Sequence, residues 1–549
     1  MKKLVLLVHT LKHLKLSQIF YQFYYRLKKP KLKNIGQLTL RGSINGWPGE
    51  YYLEPMTDDA KTFSFLGQTA QLKGDWNDAS LPKLWLYNLH YHDDLNAKHA
   101  SDCIELCSRI IDEWIAGNPP LHGNGWEPYC LSLRMVNWVK YFFRLPNDKI
   151  KREWLASLAQ QGQALEQQLE YHILANHLFA NAKALVFIGS FFGGKQGESW
   201  LKKGLELLDR EIEEQFLDDG GHFERSTMYQ AILLWDLADL LTLERASELP
   251  ELSKREKGWR EVFSKGIEWL DWMCHPDGDI AFFNDATLGI APTLEDLNRY
   301  SSILGISTHY REITPYDTDG ILLKSSGYGV IKWKEGHRLL ADVAHVGPDY
   351  QPGHAHADTL SCEFSFYDYR VLVNSGISQY GDDKERHRQR STKAHNTVVV
   401  DDENSTEVWS GFRVGQRAKP LFVSLEKQGE VIQLQGSHDG YQRLRKSVSH
   451  KRVWLATNSS LTIEDNVTGR FETAVALWHI HPKVRIKRKD SHSFVLRLAN
   501  EATLALSFDG AKEIKVLKGT WHPGFGESVT NKVIQVSLDS SKLTTRFEF

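Results

Sequence analysis

From about Leu84 to Tyr300, apolar residues recur every three or four positions. In IELCSRIIDEWIAG, residues Leu106, Ile110 and Trp114 fall on one face, as in an amphipathic helix. The pattern continues through MVNWVKYFFRL, the stretch KREWLASLAQQGQALEQQLEYHILANHLFANAKALVFIGSFF, SWLKKGLELLDREIEEQF, STMYQAILLWDLADLLTLERA and WREVFSKGIEWLDWMC, with short Gly, Pro, Asn and Asp breaks between. Successive helices with short connections pair around a centre, as a solenoid or a toroid. No fixed-period repeat is visible, which disfavours a regular array.

After PYDTDG (315–320) the period drops to two. ILLKSSGYGVIKWK, HRLLADVAHV, LSCEFSFYDYRVLVNSG and HNTVVVDD read as strands, followed by GEVIQLQGSH, KRVWLATNSSLTIEDNVTG, AVALWHIHPKVRIKR, SFVLRLAN, ATLALSF and RFEF. Short, alternating, closely spaced strands predict a layered antiparallel domain. The expected division is residues 1–80 as a basic amphipathic and irregular segment packed on the helical domain, 81–310 as that domain, and 311–549 as the sheet domain. A cleft between two such domains is a usual ligand site.

Charge narrows the partners. Among 549 residues, 67 Lys and Arg nearly balance 69 Asp and Glu, so no global field favours nucleic acid or an anionic membrane, and no nucleic acid is expected as a partner. The five cysteines are scattered and unpaired in spacing, which argues for reduced thiols and against a disulfide framework or zinc ribbon. The start, MKKLVLLVHTLKHLKLSQIFYQFYYRLKKPKLK, has a basic tip, but its apolar core runs only from Leu4 to Val8 and no small-x-small site follows, so a signal peptide is not expected. No stretch approaches ~18 unbroken apolar residues, so no transmembrane segment is expected either. The segment reads as a basic amphipathic helix packed on its own domain, with peripheral contact to a membrane surface or a partner as the alternative. The expected compartment is the cytoplasm, peripheral to the inner membrane, with the periplasm as the alternative.

PGHAHADTL (352–360) places His354 and His356 one residue apart before a strand. In an extended chain rising ~3.3 Å per residue, their Cβ atoms share a face at roughly 6 to 7 Å. Asn374 in VLVNSG and His395 in STKAHNTVVV are candidate partners on neighbouring strands. Two imidazoles and an oxygen donor suit zinc with a further ligand or water, although an Asn carbonyl is a weaker donor than a carboxylate. The competing reading is a metal-free hydrogen-bonded cluster.

GHAHADTLSCEFSFYDYRVLVNSGISQY, followed by RQRSTKAHNTVVVDDENSTEVWSGFRVGQRA, resembles the heparinase II/III-like family of polysaccharide lyases, which includes alginate and heparan-type lyases. The resemblance extends upstream through WLYNLHYHDDL (85–95), NGWEPYCLSLRMVNWVKY (124–141), LANHLFANAKAL (174–185) and DGGHFERSTMYQAILLWDL (219–237). It implies an incomplete α/α toroid followed by an antiparallel β-sandwich. It also implies β-elimination of a uronic-acid glycan, with an acidic polysaccharide as partner. By resemblance, Asn176 neutralises the uronate carboxylate with His177 beside it. Tyr229 is the acid to O4, and also the base where both events occur on one face. His354 is the base or the activator of the tyrosine. His356, Asn374 and His395 form a structural metal group for one zinc ion, and no organic cofactor is implied.

Second-rank candidates for substrate contact are Arg134, Glu224, Arg390 and Arg413, since arginine suits carboxylates and sulfates. An ion-pair role between domains is the competing reading for each. Tyr87, Asn88, His90, Tyr129, Asn137 and Trp138 come from the matched helical motifs and could line a sugar cleft. Asn284 and Asp285, in AFFNDAT, read equally as cleft residues or as a helix cap. Two alternatives remain: a metal-dependent barrel hydrolase, weakened by the ~300 helical residues before the HxH pair, and a glycan-binding or biosynthetic protein with weak or altered catalysis on a bacterial surface polysaccharide.

Overall fold

The computed structural model describes residues 2–34, 39–42, 46–307, 318–444 and 447–549. Between Lys83 and Ile303 the chain is helical, and from Asp319 onward its regular structure is mainly antiparallel strand, joined by long loops and the short helix Lys384–Gln389. This is the toroid and sandwich that the resemblance implies, and it agrees with the change of period. The proposed division at 310/311 lies outside the described residues, which resume at Thr318.

The helical layer is organised around Ala175–Phe191, of which almost every residue is buried. It packs between Pro128–Arg144, Gly194–Gln215 and Thr227–Ser247. Its neighbour Gly194–Gln215 approaches so closely that a Cβ on Gly189 would sit 2.4 Å from the Leu201 nitrogen. The long apolar stretch from Arg152 to Phe191 is two helices, Arg152–Glu166 and Ala175–Phe191. Periodicity alone does not show the break. It is made by Leu174 and Ala175, both at positive φ (71° and 51°), and held by Asn181, whose Oδ1 accepts the Glu170 N–H at 2.7 Å. The Ser226 hydroxyl caps Thr227–Ser247 by accepting the Tyr229 N–H at 3.2 Å.

In the sandwich, one sheet runs in the order Pro420–Gln428, Val431–His438, Ser449–Thr457, Ser460–Thr468, Lys542–Glu548, Thr503–Asp509, Ser493–Arg497, Arg485–Arg488. Its strands alternate buried and exposed, as Thr503–Asp509 does at every step, because one face meets water. The second sheet contains Tyr328–Lys332, Arg338–Asp342, Cys362–Phe366 and Tyr369–Leu372 and lies between the first sheet and the toroid. Cys362–Phe366 is accordingly buried at every position. Trp454, Trp478, Phe364 and Phe547 fill the space between the sheets.

A buried ion pair pins that core. Arg452 and Asp465 meet at 2.7 Å, and the same carboxylate accepts from His450 at 2.7 Å. Burial alone would raise the Asp465 pKa, but Arg452 and His450 hold it down at about 2, against an ordinary 3.8. Such a depression corresponds to about 2 kcal/mol of stability, present above pH ~4 and lost as pH falls toward 2. Urea midpoints measured between pH 4 and 2 should fall in the native chain, and Asp465→Asn should remove this part of the slope while lowering stability at neutral pH.

The N-terminal segment departs from expectation in two ways. It forms two helices, Lys2–Leu11 and Leu16–Leu27, rather than one. Residues 47–76 of the segment pack on the toroid as expected, with Trp47, Phe63, Phe65 and Trp76 in its core, but the first helix also reaches the sheet domain. His9 meets Glu407 at 2.9 Å and the Thr10 hydroxyl donates to the Val414 carbonyl on the sheet side, while the Tyr21 ring packs on Tyr171 of the helical side.

Candidate active site

A cleft of about 290 Å³ lies between the helical layer and the second sheet, lined by Trp47, Tyr52, Asn88, Tyr129, Trp235 and Tyr229 among others, with Tyr380 and Phe525 from the sheet side. Tyr229 enters it from the first turn of its capped helix. His354 reaches the phenol from a loop of the sheet domain, with ring centroids 4.0 Å apart. The Tyr229 hydroxyl lies 3.1 Å from that of Tyr380. Burial first, then the neighbouring Tyr380, raises the Tyr229 pKa well above its ordinary value, so the phenol is protonated at neutral pH.

The two histidines of the HxH pair do not lie on a strand. Residues 353–361 form turns and bends, and the strand starts at Cys362. The rings nevertheless converge, because both find one carboxylate. Asp285 Oδ2 accepts from His354 Nδ1 at 2.8 Å, and Oδ1 accepts from His356 Nε2 at 2.8 Å. Arg386 grips the same two oxygens in a fork, with Nη2 to Oδ2 at 2.7 Å. Burial opposes the charge on Asp285, but Arg386 and the two imidazoles outweigh it and hold the pKa well below the ordinary range. An ionised carboxylate only accepts, so neutral His354 carries its proton on Nδ1 and its lone pair on Nε2.

Nε2 of His354 faces Glu224 Oε2 at 3.6 Å, beyond hydrogen-bond distance. Both Glu224 oxygens are buried without a hydrogen-bond partner, and so is Oδ1 of Asn176. Burial raises the Glu224 pKa, opposed by His354, the Asn176 main-chain N–H and His177. Asn176 stands in the first turn of Ala175–Phe191, right after the two positive-φ residues that aim that turn. His177 pairs with Glu170 at 2.9 Å and lies tilted against the Tyr129 ring, with centroids 4.4 Å apart. Burial lowers its pKa, but Glu170 overrides this and the net shift is upward. Unpartnered polar groups beside a phenol and an imidazole are what a polar ligand would satisfy.

At the far end of the cleft, Lys183 joins Asp236 and Asp239, each at 2.6 Å, and Lys140 also binds Asp239. Burial brings the Lys140 pKa down to about 8.

The structure reassigns several expected contacts. Arg134 is fully buried and donates to Gln161 Oε1, the His90 carbonyl and the Gly125 carbonyl at 3.0, 2.9 and 2.7 Å, with its guanidinium over Trp114. It holds the helical layer together and does not line the cleft. Arg390 is also buried, with Nε and Nη2 on the Ala355 carbonyl at 3.1 and 3.0 Å. It positions the loop between His354 and His356 instead of meeting substrate. Arg413 lies on the exposed face of a short hairpin over Trp409. His90 and Trp138 are core residues, and Tyr87 is tied to Glu127. Asn88, Tyr129 and Asn137 do line the cleft. Asp285 is no helix cap: the next helix, Leu294–Ile303, is capped by Thr293. Asn284 at φ 58° turns the chain and accepts the His356 N–H at 3.1 Å.

Three site residues escaped the sequence reading: Tyr380, Arg386 and Asp358. All stand inside or beside the motifs that carried the resemblance, and the Arg pattern of ERHRQR was the available signal for Arg386. Among the described residues, His356, Asp358 and His395 bring donor atoms within 4.8 Å of one another. His356 Nδ1 faces His395 Nε2 at 3.2 Å. Burial lowers the pKa of both rings, which keeps them neutral, and the Nε2 bond of His356 to Asp285 orients it as an outer carboxylate orients a metal-binding imidazole. The Nδ1 atom of His395 is buried without a partner. Asn374, expected as the oxygen donor, spends its amide on the main chain, donating to the Phe282 carbonyl at 2.9 Å and accepting from the Asn396 N–H at 3.2 Å. The carboxylate beside the histidines is that of Asp358.

Fold and site together define a toroid-plus-sandwich protein with an aromatic-lined cleft reached from both domains. The profile described as Heparinase II/III N-terminus matches residues 105–308, and that described as Heparinase II/III-like, C-terminal matches residues 316–548. The chain belongs to the heparinase II/III-like family. It is 23% identical over 431 residues to a heparin-sulfate lyase of Bacteroides stercoris, covering 74% of this chain and 61% of that protein. It is 24% identical over 466 residues to the FtsZ-localized protein C of Caulobacter vibrioides, covering 77% of this chain and 74% of that protein. The chain thus spans about three-fifths of the length of the lyases it matches. A solved heparinase III superposes with a TM-score of 0.69 at 18% identity, over 97% of this chain and 89% of that one.

Proposed function

We propose that the chain is a polysaccharide lyase that cleaves a uronic-acid glycan by β-elimination. The observation that carries this reading is the meeting of Tyr229 and His354 across the domain junction, beside the buried Oδ1 of Asn176 and the buried carboxylate of Glu224. Nε2 of His354 takes the C5 proton, and the pair from the C5–H bond forms the C4=C5 double bond as the C4–O4 bond breaks. The Tyr229 hydroxyl gives its proton to O4, in keeping with a phenol that burial keeps protonated. Asn176 and the cationic tendency of His177 offset charge developing on the uronate carboxylate. The products are an unsaturated uronate and a free hydroxyl. A panel of alginate, heparan, chondroitin and bacterial capsule polymers tests this by ultraviolet detection of the unsaturated end. No product from any of them would overturn it.

The residues fit one structural zinc: His356 and His395 would hold it with Asp358 in place of Asn374. Two imidazole nitrogens 3.2 Å apart suit ligands at ~2.0–2.1 Å in a tetrahedral arrangement. Bound there, the ion would supply rigidity to the loop bearing His354. Metal analysis should find about one equivalent of zinc, lost in His395→Ala and Asp358→Ala and kept in Asn374→Ala.

A second reading is a glycan-binding protein of surface-polysaccharide biosynthesis with weak or altered catalysis. It is favoured by the relative matched over 74% of its length that carries no lyase name. Glycan binding without unsaturated product would select it.

A further inference from the structure

The first two helices present their apolar residues to solvent. On Leu16–Leu27 the outward residues are Leu16, Ile19, Phe20, Phe23 and Leu27, a continuous helical stripe, with Leu16 84% and Leu27 88% exposed and both phenylalanines 59% exposed. On Lys2–Leu11, Leu4, Val5, Val8 and Leu11 are outward as well. On Leu16–Leu27 the inward face is occupied by polar and tyrosine side chains, whereas Lys2–Leu11 also turns Leu6 and Leu7 partly inward. Gln18 donates to the Tyr350 carbonyl, Tyr21 packs on Tyr171, Tyr25 on His172, and Thr10 accepts from the Trp409 indole. This is the reverse of the usual surface helix, which buries its apolar stripe.

Charge identifies the occupant. Residues 1–33 contain nine Lys and Arg and no Asp or Glu. Where the turn between the helices meets the sheet domain, a second cavity of about 550 Å³ is lined by Lys12, His13, His345, Arg417, Lys419 and Arg443 on its basic side, with Asp349 and Asp439 also present. The Arg417 side chain is only 7% exposed, and its Nε has no partner although both Nη atoms bind Asp349. An outward apolar stripe beside concentrated positive charge and a pocket with an unpaired guanidinium N–H matches an anionic phospholipid surface: acyl chains for the stripe, phosphates for the pocket.

We infer that the helices Lys2–Leu11 and Leu16–Leu27, with the basic pocket at their turn, dock the protein on an anionic phospholipid bilayer. No helix among the described residues is long and apolar enough to cross one, so the contact is peripheral. The first of these helices holds the hairpin Val408–Val414 through Thr10, and the Phe412 ring of that hairpin lies 6.4 Å from His354, so the docking surface adjoins the cleft.

The test is flotation of the full chain with vesicles of mixed phosphatidylcholine and phosphatidylglycerol, read without any glycan, so that it stands apart from lyase activity. The chain should float with the mixed vesicles and stay behind with phosphatidylcholine alone. Phe20→Glu with Phe23→Glu should cut the bound fraction at least ~tenfold, and Lys12→Glu with Lys419→Glu should do the same, as loss of either attraction weakens an interfacial helix. Thermal unfolding should be unchanged for both, since all four side chains are exposed, and the lysine pair decides should the phenylalanine pair misfold. Absence of flotation, or flotation indifferent to both pairs, would overturn the inference. So would inorganic phosphate binding without vesicle binding, or a dimer in gel filtration that the phenylalanine substitutions dissolve.

Discussion

Tyr229→Phe is expected to lower turnover of the susceptible uronate glycan by more than ~100-fold, the lower range of general acid contributions. The substitution deletes one oxygen and little else. The ring keeps its packing on His354, and the hydroxyl's one hydrogen bond, to Tyr380, is between two side chains at the cleft wall. Stability and KM should therefore stay close to the native values while kcat falls, because the lost group acts on the leaving oxygen after the sugar is bound. Initial rates followed by ultraviolet absorbance, with a parallel thermal melt, check both halves of the statement. Equal turnover in the variant would remove the phenol from the reaction.

Asp285→Asn should do damage of two kinds at once. The carboxylate balances Arg386, which is completely buried, and removing its charge leaves a guanidinium without a counter-ion at a cost of about 3–5 kcal/mol. It also fixes the proton of His354 on Nδ1, and an amide able to donate lets the imidazole take the wrong tautomer, a fault that costs as much as ~10⁴ in turnover where an Asp holds a catalytic His. Urea unfolding and single-turnover rates separate the two effects. Restored stability in Asp285→Asn with Arg386→Met, without restored turnover, would show that the carboxylate serves the histidine as well as the fold.

Much of the architecture is legible in the sequence because period is a local property. Leu106, Ile110 and Trp114 share a face in any helix, and the alternation of Thr503–Asp509 reflects one wet side. What escapes is what depends on a second element. The two-helix break before Ala175 is set by positive-φ residues and by Asn181 reaching back, neither of which alters apolar spacing. The HxH pair converges without a strand because Asp285, some seventy positions earlier, attracts both rings. Arg134 and Arg390 have the chemistry of anion binders, but only packing reveals that main-chain carbonyls already occupy them. Asn374 was matched to the metal by motif, and its amide is consumed by neighbouring backbone that no motif encodes.

The cluster of Lys140, Lys183, Asp236 and Asp239 at the end of the cleft bears on selectivity. Its ammonium groups are already matched by carboxylates and Asp93 lines the same cavity, so this end of the cleft offers an anionic group little surplus positive potential. On the proposed lyase reading, a sugar at this end would be held through its hydroxyls and by packing on aromatic rings, and charge recognition would fall to the part of the site near Asn176 and His177.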